Sequence, residues 1–282
     1  MNSGKATDSY LTPGLVHSSM RYDLFDTESG NAVVIALDHG LGMGAVEGFE
    51  DPAATLDAVL AGEPDGVLVG PAFARHYGER IDSAAVETLV TADVVTFSTR
   101  PGHDEGMDIW TRPFDVDELL AVDPVGVKAV LVFGRDDRRL FERNIEAIGR
   151  LARELRGTGV PLIVEPVQWG PRVPEQFETD HRSVEHACRL AWEYGADILK
   201  APYTGDQDAY MDLVEHSPVP VTILGGPASG STRAMLDDVR DAVDAGARGP
   251  VIGRSVWQAD DPAAITRALG DIVHEGASVD EV

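Results

Sequence analysis

The sequence predicts an α/β fold, a single (β/α)8 TIM barrel, and three observations carry the expectation. Short, nearly continuous apolar runs recur along the whole chain, eight of them. Helix-patterned segments separate them. No G-x-G-x-x-G follows the first run, as it would in the doubly wound alternative. Runs that are apolar on every residue, rather than on alternate ones, mark strands buried on both faces of a parallel sheet. Eight strand–helix units in one chain then close into a barrel.

The first run is AVVIAL (32–37), with a helix expected over 52–62, where Pro52 suits a first turn. GVLVG (66–70) and VVTFS (94–98) are the second and third strands, and AVLVF (129–133) is the fourth. The segment 137–156 places Leu140, Ile145, Ile148, Leu151 and Leu155 at helical spacing. PLIVE (161–165) is the fifth strand, and 183–195 repeats the helical pattern with Val184, Ala187, Leu190, Ala191 and Tyr194 before Gly195. DILKA (197–201), PVTIL (220–224) and GPVIG (249–253) complete the eight, with helices over 231–245 and 261–274. No linker or low-complexity segment interrupts the chain, so residues 1–282 read as one domain, with 1–20 as an arm or short helix.

Composition excludes several classes. The formal charge of −25 opposes binding to nucleic acid or an anionic membrane. No apolar run nears the roughly 20 residues of a membrane span, and the first residues lack a secretory h-region. A single cysteine, Cys188, excludes an internal disulfide and fits a reducing cytoplasm. Only three of the 23 basic residues are lysines: Lys5, Lys128 and Lys200. An acidic, lysine-poor surface is what high salt favours, because salt screens the repulsion between carboxylates.

In a barrel the chemistry lies at the C-terminal ends of the strands. Asp38 and His39 end the first strand, ahead of a glycine-rich loop. Glu165 ends the fifth, followed by Gln168, Trp169 and Arg172; it is either functional or an ion-pair partner. Lys200 ends the sixth. Its apolar neighbours Ile198, Leu199, Ala201 and Pro202 would favour the neutral amine, which attacks ketones, although a salt bridge to Glu165 is the alternative. Arginine cannot form an imine, which accounts for a lysine here in a chain that otherwise uses arginine. Gly225, Gly226, Gly253 and Arg254 end strands seven and eight, where barrels commonly hold phosphate. The loop over 99–113 carries His103, Asp104, Asp108 and Trp110 and reads as a lid or a subunit contact. His39, His76, His103 and His181 show no H-x-H or H-x-x-x-H spacing, so neither a metal nor another cofactor is expected.

With those residues assembled, the chain resembles the archaeal-type class I fructose-bisphosphate aldolase family. That family also holds 2-amino-3,7-dideoxy-D-threo-hept-6-ulosonate synthase and the autoinducer-2 phosphate thiolase. The resemblance rests on ALDHGLGMGAVEGFED, ILKAPYTGD, ILGGP and GARGPVIGRSVWQ, in family order over residues 30 to 260. It implies a metal-independent barrel, often oligomeric, that makes or breaks a carbon–carbon bond in a phosphorylated ketose. Lys200 would form a Schiff base with a donor such as dihydroxyacetone phosphate. Asp38 would assist the carbinolamine steps, and His39 resembles the thiolase's catalytic histidine. Gly226, Gly253 and Arg254 would hold the phosphate. One departure stands out: the family's strand-five tyrosine, its acid/base, is replaced by Val167 in EPVQWGPRVP. Glu165, Tyr203 or His39 then takes that role, or the reaction is the synthase's or the thiolase's; a non-catalytic sugar-phosphate-binding protein is the further alternative.

Overall fold

The computed structural model describes residues 23–96, 109–225 and 231–282. The expected arm over 1–20 lies outside the described residues. In chain order the strands are β1 (Val34–Ala36), β2 (Gly66–Val69), β3 (Glu87–Thr91), β4 (Val94–Thr96), β5 (Ile109–Thr111), β6 (Gly126–Val132), β7 (Leu162–Val167), β8 (Ile198–Pro202), β9 (Val221–Leu224) and β10 (Pro250–Ile252). Eight of them close a parallel barrel in the order β1-β10-β9-β8-β7-β6-β3-β2. The remaining two, β4 and β5, form an antiparallel hairpin outside it, with Val95 opposite Trp110.

The third barrel strand is therefore 87–91 and not the expected 94–98. Its sequence, ETLVT, carries threonines at buried positions: Thr88 is 8 % exposed and Thr91 1 %. These interrupt the apolar run by which the other strands are recognised. The fourth strand likewise begins at Gly126, earlier than expected, because the buried Lys128 breaks its run.

The helices on the outside are α2 (Pro52–Leu60), α3 (Pro71–Ser83), α4 (Val116–Leu120), α5 (Arg138–Glu154), α6 (His181–Glu193), α7 (Gln207–His216), α8 (Thr232–Asp244) and α10 (Pro262–Gly270). Two one-turn pieces, α1 (Gly40–Met43) and α9 (Arg254–Trp257), follow β1 and β10 at the barrel mouth. Aspartate side chains accept the free first-turn N–H groups of six helices: Asp51, Asp115, Asp137, Asp180, Asp206 and Asp261. Proline occupies the first turn of α2, α3 and α10. Among the described residues no helix is long and apolar enough to cross a membrane.

Two apolar layers build the molecule. The larger packs the outer faces of the strands against the helices, with Leu199 and Ala201 of β8 among its members. The smaller fills the barrel's interior with Val34, Ala36, Leu68, Leu89, Ile163, Ile198 and Val251. Strand side chains alternate faces. Two residues above that apolar plug, the same inward-facing positions carry polar groups: Asp38 above Ala36, Thr91 above Leu89, Glu165 above Ile163 and Lys200 above Ile198.

Candidate active site

Above the plug lies a cavity of about 430 Å³, lined by Asp38, His39, Asp93, Lys128, Glu165, Lys200, Gly225, Gly253 and Arg254, among others. Its floor is an ion network. Lys200 Nζ donates to Glu165 Oε2 at 3.0 Å. Lys128 Nζ lies 3.1 Å from Asp38 Oδ2, 3.4 Å from the same Glu165 oxygen, and 3.3 Å from Thr91 Oγ1. Two lysine amines and two carboxylates thus alternate across the barrel, contributed by the ends of β1, β6, β7 and β8.

The alternation of β8 matters for Lys200. Leu199 and Ala201 face outward to the helices, so of the apolar sequence neighbours only Ile198 and Pro202, two residues away, share the amine's face. The amine's polar contact is Glu165. The network also sets the protonation states of its carboxylates. Burial pushes Asp38 upward, but Lys128, His39 and Lys200 outweigh it and hold Asp38 at about 2. Burial opposes ionisation of Glu165 too, and Lys200 and Lys128 overcome it, so its carboxyl titrates below its ordinary value. Lys128 loses affinity for its proton through burial and regains more from Asp38, Glu165 and Asp93, so it stays an ammonium. Burial, with Lys200, Arg254 and Lys128 nearby, lowers His39 despite Asp38, which keeps its imidazole neutral.

His39 follows Asp38 at the start of α1. Its Nδ1 is 3.6 Å from Asp38 Oδ1, too far for a hydrogen bond, and is buried with no partner. The ring stands edge-on to Trp257, whose Nε1 donates to the Ala36 carbonyl. Gly253 makes this fit possible: a Cβ there would lie 2.5 Å from the Ala36 oxygen and 2.6 Å from His39 Cε1. Arg254 follows it on the cavity wall, half-buried and, among the described residues, with no carboxylate at ion-pair distance.

Tyr203 is not brought to this cavity. It follows the last residue of β8 and packs edge-on against Tyr210, facing Asp238 and Asp241 of α8; burial and those carboxylates push it up to about 12. Gly226 lies outside the described residues, as do His103, Asp104 and Asp108. His76 stacks edge-on against Tyr77 on α3, and His181 stands 3.9 Å from Glu185 on α6. Among the described residues no group of three or more His, Cys, Asp and Glu converges as metal ligands.

Three site residues were not singled out by sequence: Lys128, Thr91 and Asp93. The signal for Lys128 was present, since the scarcity of lysine that drew attention to Lys200 applies to it equally. Asp93, fully buried just beyond β3, accepts from Trp110 Nε1 at 2.9 Å, from the Val130 N–H at 2.7 Å and from Thr91 Oγ1 at 3.4 Å. Burial pushes it up to about 6, against the pull of Lys128 and these donors. It clasps the β4–β5 hairpin to the cavity wall.

Comparison with known proteins gives a consistent picture. The model of the DeoC/LacD family aldolases matches residues 32–259. An uncharacterized aldolase of Saccharolobus solfataricus is 31% identical over 260 residues, covering 92% of this chain and 94% of its own. The 2-amino-3,7-dideoxy-D-threo-hept-6-ulosonate synthase of Halobacterium salinarum is 32% identical over 246 residues, covering 87% of each chain. An archaeal fructose-1,6-bisphosphate aldolase, solved with its catalytic lysine bound to the carbinolamine intermediate, superposes with a TM-score of 0.76 at 26% identity. The match covers 89% of this chain and 96% of that one.

Proposed function

Because this chain belongs to the DeoC/LacD aldolase family, we propose that it is a Schiff-base aldolase in which Lys200 attacks the ketone of a phosphorylated ketose. The observation that carries the reading is the buried Lys200–Glu165 contact of 3.0 Å at the C-terminal mouth of the barrel. Glu165 is positioned to take the proton that the amine must lose before attack. The new C–N bond forms as the ketone oxygen leaves as water. The resulting iminium is an electron sink. A base takes the proton of the hydroxyl on the far carbon of the bond that breaks. The carbon–carbon electron pair then flows toward nitrogen, and an aldehyde departs. Protonation of the enamine carbon and hydrolysis return Lys200.

Glu165 is our candidate for that base. It projects from the same strand face as Val167, two residues earlier, and touches the reacting amine. Lys128 keeps it ionised and thus ready to accept a proton. Asp38, across Lys128, serves the carbinolamine steps. Arg254, with the bare backbone of Gly225 and Gly253, holds the donor's phosphate. A second reading, synthesis of the kind named for the Halobacterium relative, uses the same imine with another acceptor; Val167 in place of the tyrosine that the family resemblance leads one to expect favours it. The test common to both is borohydride trapping with dihydroxyacetone phosphate. The Lys200 peptide should gain the mass of the reduced adduct, and Lys200→Met should gain none. An unmodified Lys200 peptide in the wild-type chain ends the proposal.

A further inference from the structure

The imine reading leaves the substrate's two ends unassigned, and the order of strands around the barrel separates them. Numbered around the ring, β10 and β6 are diametrically opposed, and β8 lies two strands from each. Lys200 on β8 therefore sits midway between two walls. The wall after β10 bears Arg254. The wall at β6 bears Val130, joined by Val95 of the hairpin and by Trp169 beyond β7. Behind these, Val167, Val132 and Trp110 continue the apolar packing, and Leu224 closes it.

The charges divide in the same way. Lys128 and Lys200 are both engaged by carboxylates at 3.0–3.4 Å. Among the described residues Arg254 is the one cavity-lining cation with no carboxylate at ion-pair distance, Glu165 acting on it only from farther away. Among the described residues the one cation lining the β6 wall is Lys128, already held by Asp38 and Glu165, so a phosphate there would lose its hydration against valine and indole surface with little compensation, which is costly. Loop 168–173 is also fixed in place. Arg135 donates to the Trp169 carbonyl at 2.7 Å, and Gly170 lies so close to Gly134 that no Cβ could be accommodated. The backbone that presents the indole to the cavity is thus held in place.

Resting on that imine reading, we infer that the substrate carries one anionic group, held at Arg254, and that the aldehyde half bound against Val130, Val95 and Trp169 is uncharged and apolar. The chain is then an aldolase for a ketose monophosphate with an alkyl-like far end. Val95, Val130 and Trp169 are its specificity residues. The step balances as above: the hydroxyl proton goes to the base, the electron pair of the broken bond goes to the enamine, and an unphosphorylated aldehyde leaves.

The experiment uses the full chain in the synthetic direction. Dihydroxyacetone phosphate is the donor, and the acceptors are propanal and glyceraldehyde 3-phosphate. Propanal should be used with a kcat/KM at least tenfold higher. Val95→Arg places a cation on the partly exposed edge of the apolar wall; it should narrow or reverse that ratio while donor trapping at Lys200 stays unchanged. Arg254→Gln should raise the donor KM and leave the acceptor ratio alone. A preference for the phosphorylated aldehyde, turnover of neither, or an acceptor ratio unmoved by Val95→Arg overturns the inference. Failure of dihydroxyacetone phosphate to trap at Lys200 is a separate result, which removes the imine reading itself.

Discussion

Lys128 is a lysine for a different reason from Lys200. It forms no bond in the proposed reaction, yet it touches Asp38, Glu165 and Thr91 at once. A compact ammonium with three donors fits three acceptors converging from three strands, a geometry the planar guanidinium fork does not match. Its removal should be costly in two separable ways. Lys128→Met leaves a buried carboxylate pair short of one cation, a loss of about 3–5 kcal/mol in stability. It also releases Asp38 and Glu165 from the field that holds them ionised, so both carboxyl pKa values rise. The acidic limb of the kcat/KM profile should therefore move to higher pH, and turnover at neutral pH should drop by roughly 10²-fold or more. The pH–rate profile decides this: a limb that stays in place would mean that Lys128 is only a structural counter-ion. The same residue marks the limit of what the sequence discloses about the site. Asp38, Glu165, Lys200 and Arg254 could be found because each stands at the end of an apolar run. Lys128 stands inside one, where a charge reads as an interruption, and its partners come from the neighbouring strands β3 and β7 and, across the closed barrel, from Asp38 after β1.

The elements repeat this lesson at a larger scale, with Asp93 as the clearest case. Its carboxylate joins β3, β6 and the hairpin through the Thr91 hydroxyl, the Val130 N–H and the Trp110 indole. Asp93→Ala would leave the Val130 and Trp110 N–H groups without an acceptor, and the urea midpoint should fall by the equivalent of about 2–4 kcal/mol. Asp93→Asn keeps an acceptor oxygen and should cost under about 1 kcal/mol. Because burial raises this acid from 3.8 to about 6, the folded chain binds more protons than the unfolded chain in that interval. Its contribution thus weakens stability as pH rises from about 4 to about 6. Asp93→Asn should flatten that component when unfolding of the two proteins is compared at pH 4.5 and 7; an unchanged difference would rule it out. The hairpin held here is also why the third strand was misread. VVTFS is the more apolar segment, but its described part, Val94–Thr96, forms the hairpin strand β4, while ETLVT is the barrel strand, with Thr91 facing the interior. Strands buried against helices on one side and the apolar plug on the other were legible. So were β7 and β8, whose polar Glu165 and Lys200 come late in the run, whereas β3, with Thr88 and Thr91 inside a short run, was not. Helix α3 escaped notice for a related reason: it buries only Pro71, Ala74 and Ile81, too few to show a period.

Across the whole molecule, 48 acidic residues face 23 basic ones. Some of the excess is used locally, in the six aspartate caps and in exposed pairs such as Arg80–Asp57 and Arg189–Glu193. The remainder repel one another over the surface. Caps are short-range hydrogen bonds, which added salt weakens little. Repulsion between surface carboxylates is long-range and falls as the Debye length shrinks from about 10 Å at 0.1 M to about 3 Å at 1 M. Stability should accordingly rise with KCl, and the shape of the rise identifies its cause. Screening is largely complete by about 1 M, so a screening-dominated midpoint climbs steeply and then levels off. Salt exclusion from the surface instead keeps adding stability as concentration grows, and it is stronger for sulfate than for chloride. We expect the levelling form, with KCl and NaCl interchangeable at equal ionic strength. A thermal midpoint that is flat from 0.1 to 2 M would refute the high-salt reading of the composition. A midpoint that climbs linearly throughout would transfer the effect from the protein's charge to the solvent.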